Sequence, residues 1–292
     1  MDKIKSILKL IRVKHYLKNV LIFLPLFFSG NAFSENFLTV FLAFLVFCFV
    51  SSAVYVLNDL FDCEKDRLHP KKCKRPIASG AVSKKEALLI LFVCFAAGLA
   101  LSFVIAKGSL TFIYPLVYCA VNIIYSMKLK HIPIIDIALL TSGFFIRVLY
   151  GGAVINVTVS AWLYLTITAI AFYLALGKRE KESRQHPDGD TRKVLKAYTP
   201  EFLEKFMNIC LALAIVFYSL WAKDLENSAM IWTVPLVILI AMKYSLDINS
   251  PESDGDPIDV ILGDVLLIIM LAVYAVITAA VIYFPVISGF FK

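Results

Sequence analysis

The stretch "NDLFDCEKDRLHPKKCKRPIASG", residues 58 to 80, holds four acidic residues and, counting His69, seven basic ones, in a chain that is 60% apolar. No Gly or Pro separates Asn58 from Pro70, so the apolar helix before it can continue through Asp59, Asp62 and Asp66. At 100° per residue those three carboxylates fall within about 60° of arc, with Asn58 at the edge. Like charges so placed repel by about a few tenths of a kcal/mol per pair in water, and by more where the dielectric falls beside a bilayer. Mg²⁺ answers that repulsion, because it takes oxygen ligands, keeps several waters and is held by one or two carboxylates plus substrate phosphates. A solvated, charged helix end is the plainer reading of the same spacing.

His69, Lys71, Lys72, Lys74 and Arg75 follow within ten residues of Asp66, and Pro70 can turn the chain so that they fold back over the acids. Acids for a metal beside cations for an anion are the usual means of holding a diphosphate. Further bases stand at the ends of apolar runs: Lys128 and Lys130 beside Tyr125, then Lys178 and Arg179. These either bind phosphate or anchor the runs on the positively charged side of a membrane. Asp136 lies one turn inside an apolar run, where an acid is functional by default or caps the helix start. Arg147 stands eleven residues on, roughly 16 Å away along a helix, too far to pair with Asp136. It snorkels, pairs structurally or meets substrate.

Nine apolar runs have the length of membrane-crossing helices: 17 to 34, 37 to 57, 86 to 106, 109 to 127, 132 to 153, 158 to 177, 203 to 222, 229 to 246 and 262 to 286. They are continuous rather than alternating, which excludes a β-barrel and predicts an all-α bundle forming a single membrane domain. Lys plus Arg exceeds Asp plus Glu by 29 to 22, a net charge of +7. Twenty-five of the bases fall on one side of this topology, against Lys107, Lys223 and Lys292 on the other. That asymmetry predicts a cytoplasmic N-terminus and cytoplasmic polar loops at 58–85, 128–131, 178–202 and 247–261. "MDKIKSILKLIRVKHYLK" spaces Ile4, Ile7, Leu8 and Ile11 as an interfacial helix does, and reads as an uncleaved start. The loop "SPESDGDPIDVILGD" (250–264) reads as a polar turn covering the site, since it lacks the full calcium-loop pattern. Cys48, Cys94, Cys119 and Cys210 are ordinary thiols of apolar runs, and Cys63, His69 and Cys73 lack the second ligand pair of a zinc site.

Asn58-Asp59-x-x-Asp62-x-x-x-Asp66 after a second span resembles the first aspartate-rich motif of the UbiA superfamily of intramembrane prenyltransferases. Within it, the chain is most similar to the polyprenyl-phosphate phosphoribosyltransferase branch, whose motif continues as D-R-x-H-P-x-K-x-x-R-P-I-A-x-G. Asp66, Arg67, His69, Pro70, Lys72, Arg75, Pro76, Ile77, Ala78 and Gly80 keep that register. Arg12, Lys14, Lys18 and Asn19 match an N-terminal element of the branch, while Val13 and Tyr16 replace its Pro and Trp. "YSMKLK" (125–130), "DIALLTSGFFIRVLYGG" (136–152) and "GKREKES" (177–183) extend the likeness over most of the chain. After the sixth span, aromatic prenyltransferases carry a second D-x-x-x-D motif; this chain has a basic "GKREKESRQHPDGDTRK".

The resemblance implies a nine-helix fold and Mg²⁺-dependent transfer of 5-phosphoribose from phosphoribosyl diphosphate to a polyprenyl phosphate, releasing diphosphate, for cell-wall arabinan precursors. Asn58, Asp59, Asp62 and Asp66 would hold the metal. Lys18, Lys72, Arg75, Tyr125, Lys128, Lys130, Lys178, Arg179 and Glu182 would hold substrate, with Asp136 and Arg147 as further candidates. The partners implied are the two substrates and the plasma membrane, with the active site facing the cytoplasm and no nucleic acid; the oligomeric state stays open, a homo-oligomer included. The alternatives are an aromatic prenyltransferase and, because the acids gather at helix ends rather than at the bilayer midplane, more remotely a secondary transporter.

Overall fold

The structure is a computed structural model that describes residues 3–68, 72–127, 129–185, 193–225, 228–251, 253 and 255–290. Among the described residues every regular element is a helix. Eight of them are long and apolar enough to cross a bilayer: Asn36–Phe61, Lys84–Ala106, Leu110–Met127, Ile135–Ala153, Ala161–Gln185, Pro200–Asp224, Ala229–Ile248 and Val265–Tyr283. They correspond to eight of the nine apolar runs and make this an integral membrane protein. The run at 17–34 forms no such helix; it is a 3₁₀ helix, Val13–Phe23, continuing into a short α-helix, Leu24–Phe28. Pro25 has no N–H with which to reach the carbonyl of Leu21, and that carbonyl instead accepts from Leu24 in the tighter 3₁₀ manner.

In chain order the α-helices are α1 (Lys3–Leu10), α2 (Leu24–Phe28), α3 (Asn36–Phe61), α4 (Cys63–Leu68), α5 (Lys84–Ala106), α6 (Ile113–Met127), α7 (Ile135–Ala153), α8 (Ala161–Gln185), α9 (Pro200–Asp224), α10 (Val234–Ile248), α11 (Pro257–Gly263) and α12 (Val265–Phe290). They fall into two compact units.

The first unit comprises Met1–Leu26, Ala32–Met127 and Ile146–Val157. Its centre is α3, which packs against α5, α6 and the 3₁₀ helix through Val40, Val46, Phe47, Val50 and Val54. Gly98 of α5 permits that approach, because a Cβ there would stand 2.7 Å from Val50 Cγ2. Gly151 does the same for the 3₁₀ helix: a Cβ would stand 2.0 Å from the Ile22 carbonyl oxygen. Ser83 and Glu86 cap each other's backbone at the start of α5. Leu10 of α1 is fully buried against Val56, Cys63 and Ile77, while Ile4 and Leu8 stay exposed, as an amphipathic helix requires.

The second unit comprises Phe27–Asn31, Lys128–Phe145 and Thr158–Lys292. Here α8 packs along α9, and α10 packs on α12, around Tyr173, Leu176, Leu203, Met207 and Ile248. Thr199 caps α9 ahead of Pro200, and Asp256 caps α11 ahead of Pro257. Large apolar side chains on α5, α10 and α12, among them Phe92, Phe103, Met242 and Val276, stay exposed, which suits faces turned to lipid. All six cysteines are free thiols.

Candidate functional site

The acidic platform lies where α3 becomes α4. Asp62 leaves ideal helical geometry, yet its N–H still donates to Asn58 (3.0 Å) and its carbonyl still accepts from Asp66 (2.8 Å), so the helical ladder runs on. Asp59 and Asp66 are thereby buried and Asn58 and Asp62 half-buried. Arginines face the acids. Arg75 Nη1 lies 2.7 Å from Asp66 Oδ2 and 3.2 Å from Asp59 Oδ1, so this one of the downstream bases folds back over the acids, while His69 and Lys71 lie outside the described residues. Arg12 Nη2 donates to Asp59 Oδ1 at 2.7 Å, and its guanidinium lies 4.8 Å from the Tyr55 ring centre. Arg12 reaches there because its backbone is left-handed (φ 53°), reversing the chain between α1 and the 3₁₀ helix.

Asn58 Oδ1 accepts from the Ser126 hydroxyl at 2.6 Å, tying α3 to α6. All the platform's ligand atoms are oxygens, the chemistry of a hard cation. Among the described residues no three His, Cys, Asp or Glu gather into a metal-holding group.

Lys18 and Lys72 are half-buried on the 3₁₀ helices Val13–Phe23 and Lys72–Lys74, and Tyr125 is half-buried on α6. Arg147 is 4% exposed. Its Nε donates to Asn19 Oδ1 at 2.8 Å, its Nη2 to the Tyr118 hydroxyl at 3.1 Å, and it lies over the Phe47 and Tyr118 rings. Of its three sequence readings, snorkelling is therefore the one that fails.

The second unit holds another cluster. Asp136 and Arg179 are both 0% exposed, with Arg179 Nε 2.7 Å from Asp136 Oδ2 and Nη1 2.6 Å from Glu182 Oε2. A fully buried Arg179 meets a phosphate only after Glu182, one-fifth exposed, releases it. Asp136 is no helix cap; its carboxylate is committed to side chains. Its second oxygen accepts from the Tyr198 hydroxyl at 2.5 Å, and the same hydroxyl accepts from Ile134 N–H at 2.6 Å. Burial, then the bond to Asp136, pushes the Tyr198 phenol up from its ordinary pKa. Ile134 itself is left-handed (φ 67°), a conformation that costs a β-branched residue roughly 1–2 kcal/mol.

Lys178 pairs with Asp256 at 3.0 Å, and Lys181 and Gln185 donate to the carbonyls of Ser250 and Ser253, so the 250–264 turn is bound onto α8. Lys130 is half-buried on the 3₁₀ turn Leu129–His131. Lys128 lies outside the described residues.

Sequence reasoning singled out Arg12 by resemblance alone and missed Ser126 and Tyr198. Tyr198 had a local signal: it precedes the Thr199 cap and packs with Leu203, the hydrophobic staple of a helix start. Nothing in the sequence connects it to Asp136, 62 residues away.

Comparison with known proteins follows the same lines. The chain is 33% identical to a decaprenyl-phosphate phosphoribosyltransferase of Corynebacterium glutamicum, over 96% of this chain and 88% of that one. It is 30% identical to a protein of the same name from Mycobacterium tuberculosis, over 96% and 95%. In fold it is similar to a UbiA homolog from Archaeoglobus fulgidus solved with DMAPP and Mg²⁺, with a TM-score of 0.72 at 21% identity, covering 95% of this chain and 99% of that one. Residues 20–260 match the profile of the UbiA prenyltransferase family, and the chain belongs to that family.

Proposed function

We propose that this protein transfers 5-phosphoribose from phosphoribosyl diphosphate to a polyprenyl phosphate, with Mg²⁺, and releases diphosphate. The observation that carries the reading is the Asp59–Arg12–Arg75–Asp66 cluster. It sets carboxylate oxygens and phosphate-matching guanidiniums together, with Asp59, Asp66 and Arg75 in the motif that resembles the phosphoribosyltransferase branch and Arg12 in the N-terminal element that resembles it. Asn58, Asp59, Asp62 and Asp66 are the residues to hold the metal, which when bound neutralises the departing diphosphate.

Arg12 and Arg75 keep about a quarter of their side chains exposed, so each can turn from a carboxylate to a phosphate oxygen. Lys18, Lys72, Tyr125, Lys128, Lys130 and Lys178 supply further contacts to the donor or the acceptor phosphate. Arg179 pairs with both Asp136 and Glu182 in the unit that carries Lys178. The acceptor phosphate is already anionic near neutral pH, so the attack needs no strong general base. A product serving arabinan synthesis, and a single membrane domain in the plasma membrane, belong to the same reading.

The ninth crossing is assigned to Val13–Phe28. Its 11 residues of 3₁₀ helix at about 2.0 Å and 5 of α-helix at about 1.5 Å add to about 30 Å, a hydrocarbon thickness. With nine crossings, the positive loops put the N-terminus and the acidic platform on the cytoplasmic side.

The test is to incubate purified protein with Mg²⁺, labelled phosphoribosyl diphosphate and polyprenyl phosphate, and to look for labelled lipid. If none forms while a prenyl diphosphate plus an aromatic acid reacts, the aromatic-prenyltransferase reading replaces this one. Uptake by sealed vesicles without chemical change would establish a transporter instead.

A further inference from the structure

We infer that Tyr198 is a positioning residue that latches the turn bearing Lys130 and so sets the affinity for the phosphorylated donor; this rests on the proposed function and takes the phosphate that Lys130 contacts to be the donor's. The turn Leu129–His131 packs against the 3₁₀ segment Lys193–Ala197 that leads into Tyr198. Three residues beyond the turn, Ile134 sits in the left-handed region, where a β-branched side chain stays only if its surroundings hold it.

The Tyr198 hydroxyl holds it, together with the backbone bonds from Ile135 N–H to the Pro133 carbonyl (2.8 Å) and from Asp136 N–H to the Ile132 carbonyl (3.1 Å). The hydroxyl accepts from Ile134 N–H at 2.6 Å and donates to Asp136 Oδ1 at 2.5 Å, while Arg179 fixes the same carboxylate from its other oxygen. Asp136 belongs to the first turn of α7, so the phenol joins the strained residue to a rigid helix start. Around the phenol the charged groups are Asp136 and Arg179, and Tyr198 itself is 4% exposed. Removing the hydroxyl frees Ile134 to relax to negative φ, which re-aims the backbone between α7 and Lys130. The strain released corresponds to about a fivefold to thirtyfold shift toward the relaxed turn.

The test is Tyr198→Phe, alone and combined with Ile134→Gly. Glycine adopts positive φ without strain, so it restores the turn without the latch. Tyr198→Phe is expected to raise the KM for phosphoribosyl diphosphate about fivefold or more, leaving kcat and the KM for polyprenyl phosphate within about twofold. Ile134→Gly in that background is expected to bring the donor KM back.

A donor KM unmoved by Tyr198→Phe, a fall in kcat alone, or no recovery in the double variant overturns the latch. If Tyr198→Phe fails to fold, the double variant is compared directly with wild type: a wild-type donor KM supports the latch and a raised one overturns it. Hydrogen exchange at the Ile134 amide and the Kd of inorganic diphosphate need no turnover. Should the wild type not use phosphoribosyl diphosphate at all, the proposed reaction fails. Faster exchange and weaker diphosphate binding in Tyr198→Phe would still support the latch, and unchanged values would overturn it.

Discussion

Arg179→Gln separates two roles for Arg179, a cation whose side chain is fully buried. Arg179 and Asp136 both have 0% exposed side chains and meet at 2.7 Å. Removing one partner of such a pair leaves a charge in the low-dielectric interior, which costs about 3–5 kcal/mol, whereas removing both charges together costs far less. Here the lower end applies, because Asp136 keeps its bond from Tyr198. The variant should therefore lose about 3 kcal/mol of unfolding free energy.

Asp136→Asn combined with Arg179→Gln should be less destabilised than the sum of the two single variants by about 1–3 kcal/mol, as expected for residues in contact. Denaturant titrations in detergent micelles, followed by tryptophan fluorescence, give all four corners of the cycle. If Arg179→Gln costs under about 1 kcal/mol, the singles add, and only the donor KM rises, then Arg179 is a phosphate ligand and the buried-pair reasoning is refuted.

Asp62→Asn keeps the shape of a half-buried residue while removing a charged metal ligand. It should lower turnover by at least about a hundredfold, with a stability change under about 1 kcal/mol; retained turnover in the labelled-lipid assay removes Asp62 from the metal site. The Lys243 ammonium, 2.7 Å away, and the Leu267 N–H hold the Asp264 carboxyl below its usual range. A depressed carboxyl stabilises the fold fully above its unfolded pKa of about 3.9, and this contribution is lost as pH falls through the lower folded value. Asp264→Asn should flatten the acid limb of a pH series of unfolding midpoints, and an unchanged limb excludes the pair as its source. Stripping divalent metal with a chelator should weaken the binding of phosphoribosyl diphosphate at least about tenfold, measured by calorimetry, and unchanged binding removes the metal from the donor site.

The parts legible in the sequence were those that local patterning controls. Continuous apolar runs marked the eight long helices, and helical spacing put Asp59 and Asp66 where one arginine, Arg75, spans both, because both follow from backbone periodicity. The run at 17–34 did not disclose its 3₁₀ geometry, because apolar content does not distinguish α from 3₁₀; Pro25 leaves the Leu21 carbonyl to the Leu24 N–H. The partners of the acids were harder. Arg12 meets Asp59 across 47 residues and Arg179 meets Asp136 across 43, and such pairings depend on how helices pack rather than on spacing. Arg179, beside Lys178 in the sequence, read like it as a phosphate binder or an anchor of its run. Adjacent residues on a helix point 100° apart, so one is buried with Asp136 while the other stays one-third exposed beside Asp256.

Both clusters use arginine where lysine is the commoner base nearby, and the reason lies in geometry. One planar guanidinium can serve two carboxylates: Arg75 spans Asp59 and Asp66, and Arg179 spans Asp136 and Glu182. In the first unit the described pairs set two carboxylates, Asp59 and Asp66, against two arginines, Arg12 and Arg75, so these four charges balance. A bare diphosphate must then compete with carboxylates for the arginines, and a bare cation must compete with arginines for the carboxylates. Arriving together, the two exchange partners with the cluster, each taking up the groups the other releases, and no buried charge is left alone. In the proposed reaction, a balanced cluster of this kind would therefore favour a metal diphosphate over either of its parts.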